Sequence, residues 1–241
     1  MQRHLSGIPV GASTYSSAMS DAQNYIDWIL KSFAEFLLPP ILEIGVGHGS
    51  YAAILGGMGS YAGVDIDPDS VAAAKERFPS LDFAVADVTD DGFPATMADH
   101  QLKSILCLNV IEHIQNDQKA VANLARSLTP NGHLLIIVPA LPILYNELDR
   151  LAGHWRRYRR SEINSLMQGA GLDVIRSDYF NPVGGLGWLA NRFVRHKSLN
   201  DRAVNAQITL FDRWFVPVSR AINPLSRCIF GQSVIAVGRK P

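Results

Sequence analysis

The sequence predicts an α/β fold: a seven-stranded, mostly parallel sheet with helices on both faces, an antiparallel last strand, and a helical insert before that strand. Three observations carry this. Short, nearly continuous apolar runs alternate with helical stretches from residue 41 to 140, the pattern of a parallel sheet covered on both faces. A glycine-rich turn follows the first run and opens a helix. Two more apolar runs come late, on either side of residues 181–230, too long a stretch for an ordinary loop.

The elements follow in order. Residues 21–38 place Tyr25, Ile26, Ile29, Leu30, Phe33 and Phe36 at helical spacing, with Ser20 or Asp21 as cap and Pro39-Pro40 as stop. Strand-like runs then fall at 41–45, 61–67, 81–88, 103–110 and 132–140. Helices are expected from Ser50, from Pro68 with Asp67 or Asp69 as cap, and over 115–128 before the turn Pro130-Asn131-Gly132. A helix capped by Ser161 and stopped by Gly171 leads to strands at 172–180 and 233–240, an antiparallel pair at a sheet edge.

The 241 residues suit one domain, and 47% hydrophobic content supplies a large core. Two cysteines build no disulfide framework, and a reducing compartment is the simple inference. The beginning has no run of signal-peptide length, and nowhere do 18 apolar residues occur together, so a cytoplasmic location is expected. The zero net charge hides an asymmetry: residues 1–150 carry −9 and residues 151–241 carry +9. Either the basic tail folds onto the acidic body, or it offers a face to an anionic partner or a membrane surface.

The chemistry starts at Glu43-Ile44-Gly45-Val46-Gly47-His48-Gly49, with Asp65 twenty residues past Gly45 at the end of the next run. Glycines let a ligand approach main-chain N–H groups, and a carboxylate at that distance accepts from both hydroxyls of a ribose. An adenosine-containing cofactor is implied. A dinucleotide turn wants a third glycine where Ser50 stands, and Glu43 would repel a pyrophosphate. Both features favour a cationic sulfonium cofactor, S-adenosylmethionine, over NAD.

These residues resemble the class I methyltransferases, whose sheet is Rossmann-like. Glu43-x-Gly45-x-Gly47-x-Gly49 is similar to their first motif, Gly63 to Asp67 to their second, and Ala86-Asp87-Val88 to their third. The resemblance implies that Glu43, Gly45 and Gly47 border the methionine part, Asp65 the ribose, and Ile66, Asp87 and Val88 the adenine. Asn109-Val110-Ile111-Glu112-His113-Ile114 is similar to the N-V-L-E-H-I segment of the type 11/12 families, which makes Asn109 a cofactor contact and His113 a candidate base. Leu144 to Tyr158 resembles a segment of a bacterial subgroup often written L-D-x-x-L-G-H-Y-R-R-Y, with Trp155 in place of a tyrosine.

The chain then divides into a helical cap (1–40), a cofactor core (41–140), an acceptor lid (141–160) and the insert (181–230). On the lid, Tyr145, His154, Arg157 and Tyr158 are candidates to bind an anionic or hydroxylated acceptor, and His154 and Tyr158 to act as base. The alternative is a capping cluster tied to Glu147 and Asp149. The reaction implied is methyl transfer to a small-molecule or lipid- or sugar-linked acceptor, at oxygen.

Competing readings are an NAD-dependent oxidoreductase and a catalytically silent cofactor-binding module. No metal is expected, because the histidines are dispersed without ligand spacing. No nucleic acid is expected, because no recognisable binding module is present. Aromatic residues interleaved with Arg192, Arg195, Lys197, Arg213 and Arg220 in the insert suit peripheral contact with the inner membrane face or a grip on a lipid-linked acceptor, and equally dimerisation or packing on the acidic body.

Overall fold

The computed structural model describes residues 22–47, 49–191 and 202–241. Seven strands form one sheet in the order β3-β2-β1-β4-β5-β7-β6. They are β1 (Ile41–Ile44), β2 (Tyr61–Asp65), β3 (Asp82–Val85), β4 (Leu102–Leu108), β5 (Leu128–Pro139), β6 (Asp173–Phe180) and β7 (Ser233–Arg239). The last strand alone runs antiparallel, lying between β5 and β6. The seven apolar runs thus became the seven strands, with the expected direction of the last.

Each of the central strands is buried on both faces. Leu42, Ile44, Ile105, Cys107, Leu134 and Ile136 face one core; Ile41, Leu106, Leu108, Leu135 and Ile137 face the other. The alternation follows from side chains pointing to opposite faces along a strand. Helices α5 (Asp117–Ser127) and α7 (Arg160–Gly169) cover the first core through Val121, Leu124, Ile163 and Met167. Helices α1 (Gln23–Phe33), α2 (Ala52–Gly56) and α3 (Pro68–Arg77) cover the second through Ile29, Phe33, Leu55 and Val71. A short α4 (Phe93–Thr96) precedes β4, and α6 (Glu147–Leu151) lies in the lid.

Some boundaries differ from expectation, each for a local reason. Helix α1 ends at Phe33. Ser20 and Asp21, expected as its cap, lie outside the described residues. Its first N–H groups instead reach a carboxylate 187 or 188 residues away: Tyr25 N donates to Asp212 Oδ1 at 2.8 Å and Asn24 N to Asp212 Oδ2 at 3.2 Å. The Pro130–Gly132 turn is absorbed into β5 as an irregularity, where Leu102 pairs Leu128 but Ser104 pairs His133. Helix α7 is closed by Glu162, which accepts from Arg159 N at 2.6 Å, so the cap position is Arg159 and Ser161 lies inside the helix.

The insert is helical, as expected: α8 (Pro182–Asn191), α9 (Arg202–Leu210), a π-helical turn at Phe211–Phe215, and α10 (Val216–Ser226). Asp212 and Val216 tie it to α1 and to the second core. Basic groups of the tail meet acidic groups of the body at Arg156–Asp117 (2.9 Å), Arg157–Asp149 (2.9 Å) and Arg220–Asp27 (3.7 Å). Self-complementarity therefore absorbs part of the charge asymmetry.

Candidate active site

Strand order reverses between β1 and β4, and in open α/β sheets the crevice at such a switch point takes the ligand. The glycine turn leaves β1 there, and Asn109 and Val110 leave β4. The two segments touch: a Cβ on Gly45 would come within 2.5 Å of Val110 Cγ2. Gly45 (φ +75°) and Gly47 (φ +48°) both adopt left-handed backbone that favours glycine. At Gly47 a Cβ would meet nothing within 4 Å among the described residues, so there the bend is open.

Asp65 closes the other side of that bend. Its Oδ2 accepts from Gly47 N at 2.9 Å, and its Oδ1 accepts from Asp67 N at 3.0 Å. Carboxylate oxygens have about two acceptor sites each, so capacity remains for sugar hydroxyls. Ile66 follows it, 46% exposed at a strand end, an apolar surface set where the resemblance puts adenine. Asp87 Oδ1 accepts from Thr89 N (2.8 Å) and Thr89 Oγ1 (2.7 Å), which shapes the turn after β3. Val88 beside it is buried in the core, and Asn109 is exposed at the end of β4 in left-handed backbone (φ +53°).

Glu43 departs from the expected picture. It is buried at 3% exposure beneath the turn, and accepts from the Tyr61 hydroxyl at 2.6 Å. Burial pushes its carboxyl up to about 8. It therefore underlies the bend rather than presenting an open carboxylate.

The lid folds back over the loop after β4. Trp155 N donates to the Glu112 carbonyl at 2.8 Å, and Ala140 bridges to Tyr158. At its centre lies Asp149, fully buried. Its carboxylate accepts from His154 Nδ1 (2.8 Å), Arg157 Nε (2.9 Å), Asn146 N (2.9 Å) and Trp188 Nε1 (3.2 Å). Burial works against its charge, but the His154 hydrogen bond and the Arg157 guanidinium outweigh that and hold the carboxyl below the usual range.

This arrangement corrects two expectations. Arg157 is buried, its fork spent on Asp149 and the Ala140 carbonyl (3.0 Å) with Trp188 stacked on it, so it presents no fork to an acceptor. Tyr158 is a core residue whose hydroxyl donates to Asp117 at 2.8 Å; burial and that carboxylate raise its pKa, which unfits it as a base. The capping alternative describes both. Tyr145 stays 37% exposed and donates to the His154 carbonyl at 2.8 Å.

His113 and His154, 41 residues apart in sequence, meet at a ring-centroid distance of 4.7 Å. Glu112 joins them, fully buried, with Oε1 3.9 Å from His154 Nε2. Burial lowers His113 to about 4 and raises Glu112 to about 7. Sequence spacing held these groups apart; the lid brings them together. A cavity of about 660 Å³ between α5 and α7 shares Arg157 and Tyr158 with the lid but contains none of the cofactor residues.

Residues 42–136 match the family model described as "Methyltransferase domain". Over that span the chain is similar to methyltransferases that use S-adenosylmethionine. A "Probable S-adenosylmethionine-dependent methyltransferase" of Mycolicibacterium smegmatis is 26% identical over 159 residues, 65% of this chain and 59% of that one. A highly reducing polyketide synthase of Gibberella moniliformis is 31% identical over 159 residues, 60% of this chain but 6% of its own. The chain thus spans less than two thirds of the length of either relative. The N-methyltransferase NodS from Bradyrhizobium japonicum, solved with S-adenosyl-l-homocysteine, shares the fold at a TM-score of 0.54 and 14% identity, covering 92% of this chain and 88% of that one. In this chain the matched span holds the glycine turn, Asp65 and the Glu112-His113 loop, and the lid and insert lie beyond it.

Proposed function

We propose that this chain binds S-adenosylmethionine across the β1–β4 crevice and transfers its methyl group to an oxygen of a small-molecule or lipid- or sugar-linked acceptor. The observation that carries the cofactor reading is the open bend at Gly47, joined by hydrogen bond to Asp65. Asp65 takes the ribose, Ile66 flanks the adenine, and Asn109 borders the methionine end. When bound, the cofactor supplies an electrophilic methyl on a sulfonium. The buried Glu43 beneath the bend favours a cationic ligand above it, since a positive charge there draws the carboxyl back to its ionised form.

The chain's part in the reaction is to place an acceptor in line with the sulfur and to keep water out. Oxygen is favoured by the proton acceptors at the β4 end: His113 and His154 lie side by side there, while Tyr158 is occupied. Tyr145, exposed on the lid, is placed to touch the acceptor. Calorimetric titration with S-adenosylmethionine and with NAD tests the cofactor half. Binding of the first and not the second is expected; the reverse overturns the proposal and revives the oxidoreductase reading. Binding without turnover across hydroxylated acceptors would favour the silent module.

A second reading concerns place. Among the described residues no helix is long and apolar enough to cross a membrane. Yet the insert exposes Leu186, Leu210, Trp214, Leu225 and Ile229, with Arg213 and Arg227 among them. Such a mixture supports a cytoplasmic protein resting on an anionic bilayer. Sedimentation with phosphatidylglycerol vesicles, lost on Trp214→Ala with Leu225→Ser, is the expected result; equal sedimentation of parent and variant sinks this reading.

A further inference from the structure

We propose that Glu112, His113 and His154 form a mononuclear site for a first-row divalent transition metal at the carboxyl end of β4. Each offers one ligand atom, and these atoms lie within 4.8 Å of one another. Bonds of about 2.0–2.2 Å to nitrogen and oxygen put two ligand atoms on one ion about 3–4 Å apart. A small tightening of side chains completes the set. Two imidazoles and a carboxylate suit zinc, cobalt, iron or manganese better than magnesium or calcium, which take oxygen.

Three independent features point to a cation. The Glu112 side chain is fully buried, and apart from a contact with its own amide neither carboxylate oxygen has a hydrogen-bond partner among the described residues. A buried carboxyl left so is costly unless a positive charge arrives. Its Oε1 is aimed at His154 Nε2, at 3.9 Å. Next, His154 gives its other ring nitrogen to Asp149 at 2.8 Å. A carboxylate on the distal nitrogen fixes the tautomer with the lone pair on Nε2, the usual support of a metal-bound histidine. Two acceptors, Nε2 and Oε1, then face each other at 3.9 Å. Finally, His113 hydrogen-bonds the Gly153 carbonyl through one nitrogen, which leaves the other as an acceptor. Three potential ligand atoms thus lie within 4.8 Å of one another, and each histidine has a hydrogen bond on one nitrogen that leaves the other to accept.

The site sits where β4 ends and the lid begins, and both segments are needed to make it. An ion there pins the lid to the loop after β4. With three protein ligands it keeps positions open for an acceptor oxygen, beside the cofactor crevice. That last role rests on the methyl-transfer proposal, and in it the ion's effect on a bound acceptor oxygen would replace proton acceptance by the two histidines; the metal binding does not rest on it.

The competing account is a protonated His154 clamped between Glu112 and Asp149, with no ion. Titration of the chelator-stripped full chain with Co²⁺ alone separates the two, read by visible d–d absorption and by calorimetry. One Co²⁺ per chain is expected, with affinity falling at least about tenfold in Glu112→Gln and about 10–100-fold in Asp149→Asn. Glu112→Gln keeps the side-chain shape, and its thermal melt reports whether it folds. His113→Gln supplies a second ligand variant if it does not. The proposal is overturned if the parent binds no Co²⁺, if Glu112→Gln and His113→Gln bind it with the parent's affinity and spectrum, or if Cys228→Ser abolishes the signal. Parallel titration with S-adenosylmethionine keeps the readings apart: lost cofactor binding with Co²⁺ retained sinks only the first.

Discussion

The two walls of the strand-end crevice are built by opposite means. On the cofactor wall, main-chain groups and exposed side chains face outward: the open bend at Gly47, the Asp65 carboxylate and the Ile66 side chain. On the lid wall, polar side chains turn inward on Asp149, which gathers His154, Arg157, Asn146 and Trp188 from separate turns. One wall is shaped to receive a ligand; the other is held together by its own charges. The difference teaches that an arginine-rich, histidine-containing lid motif is first a scaffold. The residue that the scaffold orients toward the β4 loop is His154, through its hydrogen bond to Asp149.

The largest effect expected from breaking this contrast is at Asp149. Asp149→Ala strands the Arg157 guanidinium in the interior and frees His154. Removing one partner of such a buried pair costs about 3–5 kcal/mol. Urea denaturation should show it, and Asp149→Asn, which keeps acceptor capacity for Asn146 N and Trp188 Nε1, should lose less. A loss under about 1 kcal/mol for the alanine variant would mean that the lid is not built on this carboxylate.

On the other wall, Asp65→Ala should weaken S-adenosylmethionine at least about tenfold, through loss of charge-assisted hydrogen bonds worth about 1.5–3 kcal/mol. Calorimetry reads it directly. Unchanged affinity would remove Asp65 from the site.

These two residues also mark how far the sequence could be read. Asp65 was legible because its neighbours are local in pattern: a strand, a glycine bend, a helix and a strand place it by connectivity alone. The seven strands were legible for the same reason, since burial on both faces leaves continuous apolar runs. Arg157 and Tyr158 were misread because their partners, Asp149 and Asp117, become partners only when the lid closes on α5 and the β4 loop. The Glu112–His113–His154 cluster was missed on the same ground, for 41 residues separate its halves. The signal that could have found it was present: a Glu-His pair at a strand end, and a second histidine five residues after a carboxylate.

A smaller effect should appear with pH, and it sets buried carboxyls against a buried imidazole. Glu43 binds its proton more tightly folded (about 8) than at its ordinary 4.5, and Glu112 likewise (about 7). Their contribution is full below the lower value and is lost as pH rises through the higher. His113, lowered from 6.5 to about 4, acts oppositely: its contribution is present above 6.5 and lost as pH falls. Above pH 6.5 only the carboxyls titrate, so stability of the metal-free protein should fall toward pH 8, by about 1 kcal/mol per unit. Glu43→Gln should flatten that fall in denaturation curves taken at successive pH values. A flat parent profile would show that neither carboxyl holds its proton in the fold.

The smallest and sharpest test is Ile66→Ala. At 46% exposure the side chain contributes little to the core, and surface substitutions of this kind usually change stability within about 0.5 kcal/mol. Burial beneath an adenine ring would remove part of that exposed area from water, at about 25 cal/mol per Å². A loss of some 40 Å² then amounts to about 1 kcal/mol, or roughly fivefold in affinity. The variant should therefore melt with the parent yet bind S-adenosylmethionine several-fold more weakly, a split that a purely structural residue does not produce. Equal binding would place the adenine elsewhere along the β2–β3 edge, and a matching loss of stability would return Ile66 to the core.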